Sequence, residues 1–157
     1  MDTPPLQLDR TDREILKRLQ ARAKLTNVQL AEEIGLSPAS TLERVRKLES
    51  KGVIKSYHAR LAPEKLALHA QLIVQVKLEQ ITAHSVKAFQ QAIAAIPEIA
   101  ECHQVIGDAD FVLKIVTKDM AAYQQLIMHQ LSAVENIQFL KPLVITNTSK
   151  ESGIPVS

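Results

Sequence analysis

One cysteine, Cys102, stands alone in 157 residues, so the chain can form no intrachain disulfide and no thiolate zinc cage. It contains no run of about 18 apolar residues, and a membrane-spanning helix is not expected. The five histidines (His58, His69, His84, His103, His129) are scattered without metal-ligand spacing, and there is no Gly-rich phosphate loop. Four glycines and seven prolines are too few for a low-complexity chain. The opening Met1-Asp2-Thr3-Pro4-Pro5 lacks a basic region leading into an apolar one, so no secretory signal is expected and the reading is cytoplasmic. Arginine is absent after Arg60. The seven arginines (Arg10, Arg13, Arg18, Arg22, Arg44, Arg46, Arg60) all lie before that point.

What is present is an average globular composition, 46% apolar and 23% charged, long enough for one full core or two small ones. The overall charge of +2 hides an asymmetry. Up to Arg60 there are 12 basic against 8 acidic residues, and from Leu61 onward 7 against 9. A basic binding unit joined to a slightly acidic one is implied.

The first part reads as three short helices. Thr11-Asp12-Arg13-Glu14 has capping-box spacing ahead of Ile15, Leu16 and Leu19. Thr26-Asn27-Val28-Gln29 repeats it ahead of Leu30, Ala31 and Ile34, and Gly35-Leu36 makes the break. Ser37-Pro38 opens a third helix, Ser as N-cap and Pro at the first helical position, with Leu42, Val45 and Leu48 placed inward and Gly52 as terminator. Residues 53–61 are expected to be extended. A short helix, a glycine turn and a capped helix make a helix-turn-helix. With that phase, the outer face of the third helix shows Ser40, Arg44, Lys47 and Lys51, flanked by Ala39, Thr41, Glu43 and Arg46. Small residues at its start permit close approach to a DNA groove, Arg44 could fork onto a guanine, and the lysines suit phosphates. Thr26, Asn27, Ser37 and Pro38 at the two helix starts complete the expected contact set. Basic residues also decorate ordinary surface helices, and Glu43 with Lys47 has the spacing of a helical ion pair. The glycine turn and the confinement of arginine favour double-stranded DNA as the partner.

Beyond a joint at residues 62–67 the period changes. Leu72, Val74, Val76 and Leu78 alternate as a strand. Val86, Phe89, Ile93 and Ile96 fall at helical spacing. Ile99–Ile106 and Phe111–Thr117 read as strands around Gly107-Asp108-Ala109-Asp110. Asp119 caps a helix with Met120, Tyr123, Leu126, Ile127 and Leu131 inward, and residues 137–147 form a last strand, placed at an edge by Pro142. This is the split βαβ, ferredoxin-like order. The fold class is α+β: a winged-helix-like helix-turn-helix domain over 1–61, a linker over 62–67, a ferredoxin-like domain over 68–148 and a mobile tail over 149–157. Apolar residues on the uncovered sheet face call for a second copy, so a homodimer is expected. Cys102 and His103, neighbours on a strand, point to opposite faces, which defeats a nucleophile–base pair, and Cys102 reads as a packing residue. Asp108 and Asp110 in a turn are weak evidence for acid–base work. No enzyme activity, metal or cofactor is expected.

These segments resemble the leucine-responsive regulator/asparagine regulator group of transcription factors. The resemblance is carried by Leu8-Asp9-Arg10-Thr11-Asp12, by Leu25 through Ala31, by Gly35-Leu36-Ser37-Pro38 with Leu42 through Glu49, by Glu101-Cys102-His103, by Gly107 through Phe111, and by Asp119 through Tyr123. It implies a second domain that senses an amino acid, and dimers that assemble further, to octamers, with effectors bound where dimers meet. Carried over, the effector site comprises Gly107, Asp108, Asp110, Met120, Leu143, Val144 and Ile145. The chemistry suits an amino acid: Gly107 lets backbone approach, Asp110 supplies a charge for the ammonium group, and Met120 adapts to an apolar side chain. Phe111 and Leu143 stand where relatives often carry aromatic hydroxyls, which implies a more apolar pocket. The alternative is an architectural DNA-binding oligomer without a working effector site.

Overall fold

The structure, a computed structural model, describes residues 7–157. Met1–Pro5, read above as lacking a secretory signal, lie outside the described residues. The chain divides into two compact units, one made of the residues up to Leu61 together with Lys150–Ser157, the other of Ala62–Ser149.

In the first unit α1 spans Arg10–Ala21, α2 Asn27–Ile34 and α3 Pro38–Ser50. Two caps are those the sequence predicts. Thr26 and Gln29 form a capping box, and the Ser37 hydroxyl accepts from the Ser40 amide with Pro38 at the first position. Gly35 ends α2 at φ 72°, a left-handed conformation that a side chain disfavours. The first cap differs. Asp9, not Thr11, starts α1, accepting from the Asp12 amide at 2.8 Å while Asp12 accepts in return from the Asp9 amide. Asp is the stronger N-cap of the two, and a shared contact of both aspartates with α3, described below, adds to the preference.

Ile15, Leu19, Leu30 and Leu48 form the core of this unit, edged by Leu16, Leu25, Ile34, Val45 and Ile54. The phase of α3 departs from expectation. Leu42 is 37% exposed and Thr41 is fully buried. A threonine tolerates that position because its hydroxyl donates to the Ser37 carbonyl at 3.0 Å, so no polar group is left unpaired. Residues 53–62 form no strand. The tail expected after Ser149 lies against the first unit. Gln20 donates from Nε2 to the Ile154 carbonyl at 2.8 Å, Arg60 pairs with Glu151, and Val156 is half-buried.

The second unit opens with a 3-10 turn, Pro63–Leu66. It continues as β1 (Ala70–Leu78), α4 (Ala83–Ala94), β2 (Ile99–Gln104), β3 (Phe111–Thr117), α5 (Met120–His129) and β4 (Ile137–Val144). The sheet order is β2-β3-β1-β4 with every pairing antiparallel, the ferredoxin-like arrangement. Alternation in β1 and β3 sends Leu72, Val74, Val76, Phe111, Leu113 and Ile115 against Phe89 and Ile93 of α4 and Tyr123 and Leu126 of α5. Phe111 stacks on Phe89 at 4.6 Å between ring centroids, so it belongs to the core and not to a pocket. Pro142 lies opposite Val74 on the edge strand β4, where a missing ladder donor is tolerated. Among the described residues no helix is long and apolar enough to cross a membrane.

Candidate functional site

The rotation of α3 re-sorts the residues expected to meet DNA. Arg44 does not point outward. Its Nη1 donates to Asp9 Oδ2 and to Asp12 Oδ1, both at 2.7 Å, and Asp12 is buried. The Asp12 amide and the Arg44 guanidinium hold the Asp9 carboxyl below the usual range, and the two carboxylates raise Arg44 in turn. Arg44 is therefore a fastener between α3 and the start of α1, not the free outward side chain that the expected phase implied. Thr41, expected on the flank of the outer face, is buried beneath the helix. At 100° per residue the direction opposite Thr41, Val45 and Leu48 carries Ala39, Glu43, Arg46 and Ser50, with Leu42 and Lys47 on its flanks. All six are exposed. Leu42 and Ser50 were missed as face residues, and Glu43 was placed only on the flank, because periodicity alone does not distinguish a buried threonine from a buried leucine one position away.

The helix starts sit close together. Asn27, the first residue of α2, donates from Nδ2 to the Pro38 carbonyl at 2.7 Å and so ties the start of α2 to that of α3, leaving its shielded Oδ1 without a partner. Thr26 and Ser37 are engaged as acceptors in their caps, and each keeps a hydroxyl hydrogen to donate. Pro38, Lys47 and Lys51 are exposed, and Ser40 is half-buried.

The candidate effector residues fall into two groups. Gly107 and Asp108 are exposed in the β2–β3 turn, with Gly107 at φ 153°. Asp110 is 6% exposed. It accepts from Lys77 Nζ at 2.9 Å and from the Leu78 amide at 2.8 Å. Burial pushes its carboxyl up, but the Leu78 amide and the Lys77 ammonium together outweigh that and hold it below the ordinary aspartate value. The carboxylate expected to stand free for a ligand ammonium is thus paired within the chain, and Asp110 braces β1 against the turn. Asp108 is the turn's exposed carboxylate. Met120, Leu143, Val144 and Ile145 belong to the other end of the sheet. Met120 starts α5 just beyond β3, and the Ile145 amide donates to the Gln71 carbonyl at 2.9 Å. Met120, Leu143 and Val144 are exposed. Gln71 and Leu78 are seven residues apart on β1, roughly 23 Å at about 3.3 Å per residue. One chain does not bring the two groups together.

Cys102 lies opposite Leu113 and His103 opposite Val112, so the two do point to opposite faces. Cys102 is exposed, which corrects its reading as a packing residue. On the uncovered face Glu101 accepts from His103 and Lys114, both at 3.1 Å, and these two hydrogen bonds hold its carboxyl down.

Residues 71–155 match the family model described as the Lrp/AsnC ligand binding domain, and residues 8–55 match a winged helix-turn-helix DNA-binding model. The chain belongs to the Lrp/AsnC family. It is 37% identical over 150 residues to the leucine-responsive regulatory protein of Escherichia coli K12, covering 96% of this chain and 92% of that one. Among solved structures it resembles a transcriptional regulator of Neisseria meningitidis in complex with L-Met (TM-score 0.90, 29% identity, 95% and 97% of the two chains covered). It also resembles an AsnC family transcriptional regulator of Agrobacterium tumefaciens (TM-score 0.88, 29% identity, 94% and 97% covered). The chain is a transcriptional regulator with a helix-turn-helix DNA-binding domain and a ligand-binding domain. Its relatives are regulators, not enzymes.

Proposed function

We propose that this regulator works in the cytoplasm, reads operator DNA with the outward face of α3, and adjusts its assembly or operator affinity to an amino acid. Arg46 is the base reader, Glu43 accepts from cytosine amino groups, and Ala39 and Leu42 meet thymine methyls. Thr26, Asn27, Ser37, Pro38 and Ser40 at the helix starts, with Lys47 and Lys51, approach phosphates and set the register. Arg46→Ala is expected to weaken operator binding roughly tenfold to a hundredfold and to relax sequence preference, with an unchanged melting temperature. Titration of a labelled operator and of a scrambled duplex measures both. Equal loss on the two duplexes reduces Arg46 to a phosphate contact.

The observation that carries the effector reading is the separation of the two candidate groups along β1. A ligand that touches both Gly107-Asp108 and Met120, Leu143, Val144 and Ile145 needs a second copy of the chain, so binding and assembly are one equilibrium. The uncovered face, where Ile73, Val112, Val116, Phe139 and Leu143 alternate with polar residues, supports a homodimer, and further assembly to an octamer brings opposite sheet ends together. The L-Met complex of the Neisseria relative supports an amino acid as the ligand class. A thermal-shift screen over the common amino acids, read alongside light scattering, tests this. Binding raises the melting temperature of the native state, by an amount that grows with ligand concentration. A shift with a change of assembly is expected for at least one apolar amino acid. No shift and no change for any of them returns the reading to an architectural oligomer.

A further inference from the structure

The chain passes between its two units twice, after Leu61 and again after Ser149. Both passages reach the first unit at one point. Arg60, just before the first boundary, pairs with the Glu151 carboxylate just after the second, and also donates to the Glu151 carbonyl at 3.4 Å. Beyond this clasp Gln20 holds the Ile154 carbonyl, and the half-buried Val156, with the edge of a largely exposed Ile154, lines a groove with Leu16, Leu19, Ile54 and Tyr57. A Cβ added at Gly153 would meet the Gln20 side chain, so the segment lies close against α1 and a larger residue there would displace the Gln20 amide from the Ile154 carbonyl. Tyr57 then donates its hydroxyl to Glu49 in the last turn of α3 at 2.8 Å.

We propose that residues 150–157 are a releasable strap. Docked, they fasten both connections of the DNA-binding unit beside Arg60 and brace the last turn of the reading helix through Tyr57. Released, they leave the first unit joined to the rest of the chain at Leu61 alone and uncover the groove beside Tyr57. The holds are suited to release. The side chains of Arg60 and Glu151 are 66% and 52% exposed, and such pairs are individually weak and screened by salt. The Gln20 hydrogen bond is exposed as well. Segments held in this way open more readily than the core beneath them.

Amide hydrogen–deuterium exchange on the full chain tests the strap without any ligand, so its outcome is separate from that of the effector reading. In Arg60→Glu and in Glu151→Arg, exchange over residues 20–23 and 53–57 is expected to accelerate roughly three- to tenfold. The charge-swapped double variant restores it, and 1 M salt on the unaltered chain mimics the single variants. A chain ending at Ser149 exchanges at least as fast as they do. Unchanged exchange in the shortened chain overturns the docking. Single variants that accelerate without rescue by the double swap overturn the clasp.

Discussion

Arg44→Ala lowers the stability of the DNA-binding unit by about 2 kcal/mol, while leaving operator affinity near normal at temperatures where that unit remains folded. Arg44 Nη1 is the side-chain partner of a buried carboxylate, Asp12. Removing it strands that carboxylate where water reaches it poorly, and an ionised group left without its partner costs more than a neutral one. The loss is smaller than for a fully interior pair because the Arg44 side chain is 34% exposed and water partly replaces it. Packing adds to the effect, since Arg44 also holds α3 against α1. Urea or thermal unfolding of the full chain measures it, with the transition of the first unit moving and that of the second staying in place. Comparison with Arg46→Ala separates the roles. One variant loses stability and keeps recognition, and the other does the reverse. If Arg44→Ala unfolds normally but fails to bind operator, the reading face lies on the other side of α3.

The second large effect is expected at Asp110. Asp110→Ala destabilises the ligand-binding unit by about 3 kcal/mol, because it leaves the Leu78 amide without an acceptor at the end of a buried strand and removes the partner of Lys77. Asp110→Asn keeps an oxygen for the Leu78 amide and loses only the ionic part, so it costs about half as much. The pH dependence has a definite sign. The folded carboxyl titrates below the ordinary aspartate value of 3.8. Between the two values the unfolded chain therefore binds more protons. The contribution of Asp110 is complete above about pH 4 and is lost as pH falls below that value. Urea midpoints measured from pH 6 down to pH 3 fall for the unaltered protein, and the Asp110→Asn profile is flatter. A parallel fall in both removes Asp110 from the acid response. Asp110→Ala disturbs the turn as well as removing a carboxylate, so a ligand response lost in it has two sources. Asp108→Asn, at an exposed position, is the variant that probes ligand charge without that complication.

The helices and strands were legible wherever a local signal agreed with the pattern of burial. Thr26 with Gln29, Ser37 with Pro38, and Asp119 each cap the helix they were read to cap, because an N-cap is satisfied within three residues of itself. The alternation from Leu72 to Leu78 could not be mistaken, since a strand buried on one face repeats every two residues. Pro142 was placed at a sheet edge by its missing N–H alone. Errors came where the deciding partner lies far off in the chain. Asp9 displaced Thr11 as the cap of α1 because Arg44, 35 residues away, takes hold of Asp9 and Asp12 together. The same contact, with a buried and internally bonded Thr41, turned the reading face of α3 by about one position.

The sequence by itself determined the two-part organisation, the helix-turn-helix and the ferredoxin-like strand order, because capping, periodicity and composition act over a few residues and are written there directly; the family was legible only as a resemblance of its motifs. Only the tertiary structure decided which charged residues are free to act. Arg44 and Asp110 look like a base reader and a ligand carboxylate in one dimension. In three, each is spent holding elements of its own unit together, since a charge drawn out of water is retained only with a partner. The structure also set the two candidate halves of the effector site at opposite ends of β1, a separation that follows from strand rise and register and that no motif announces.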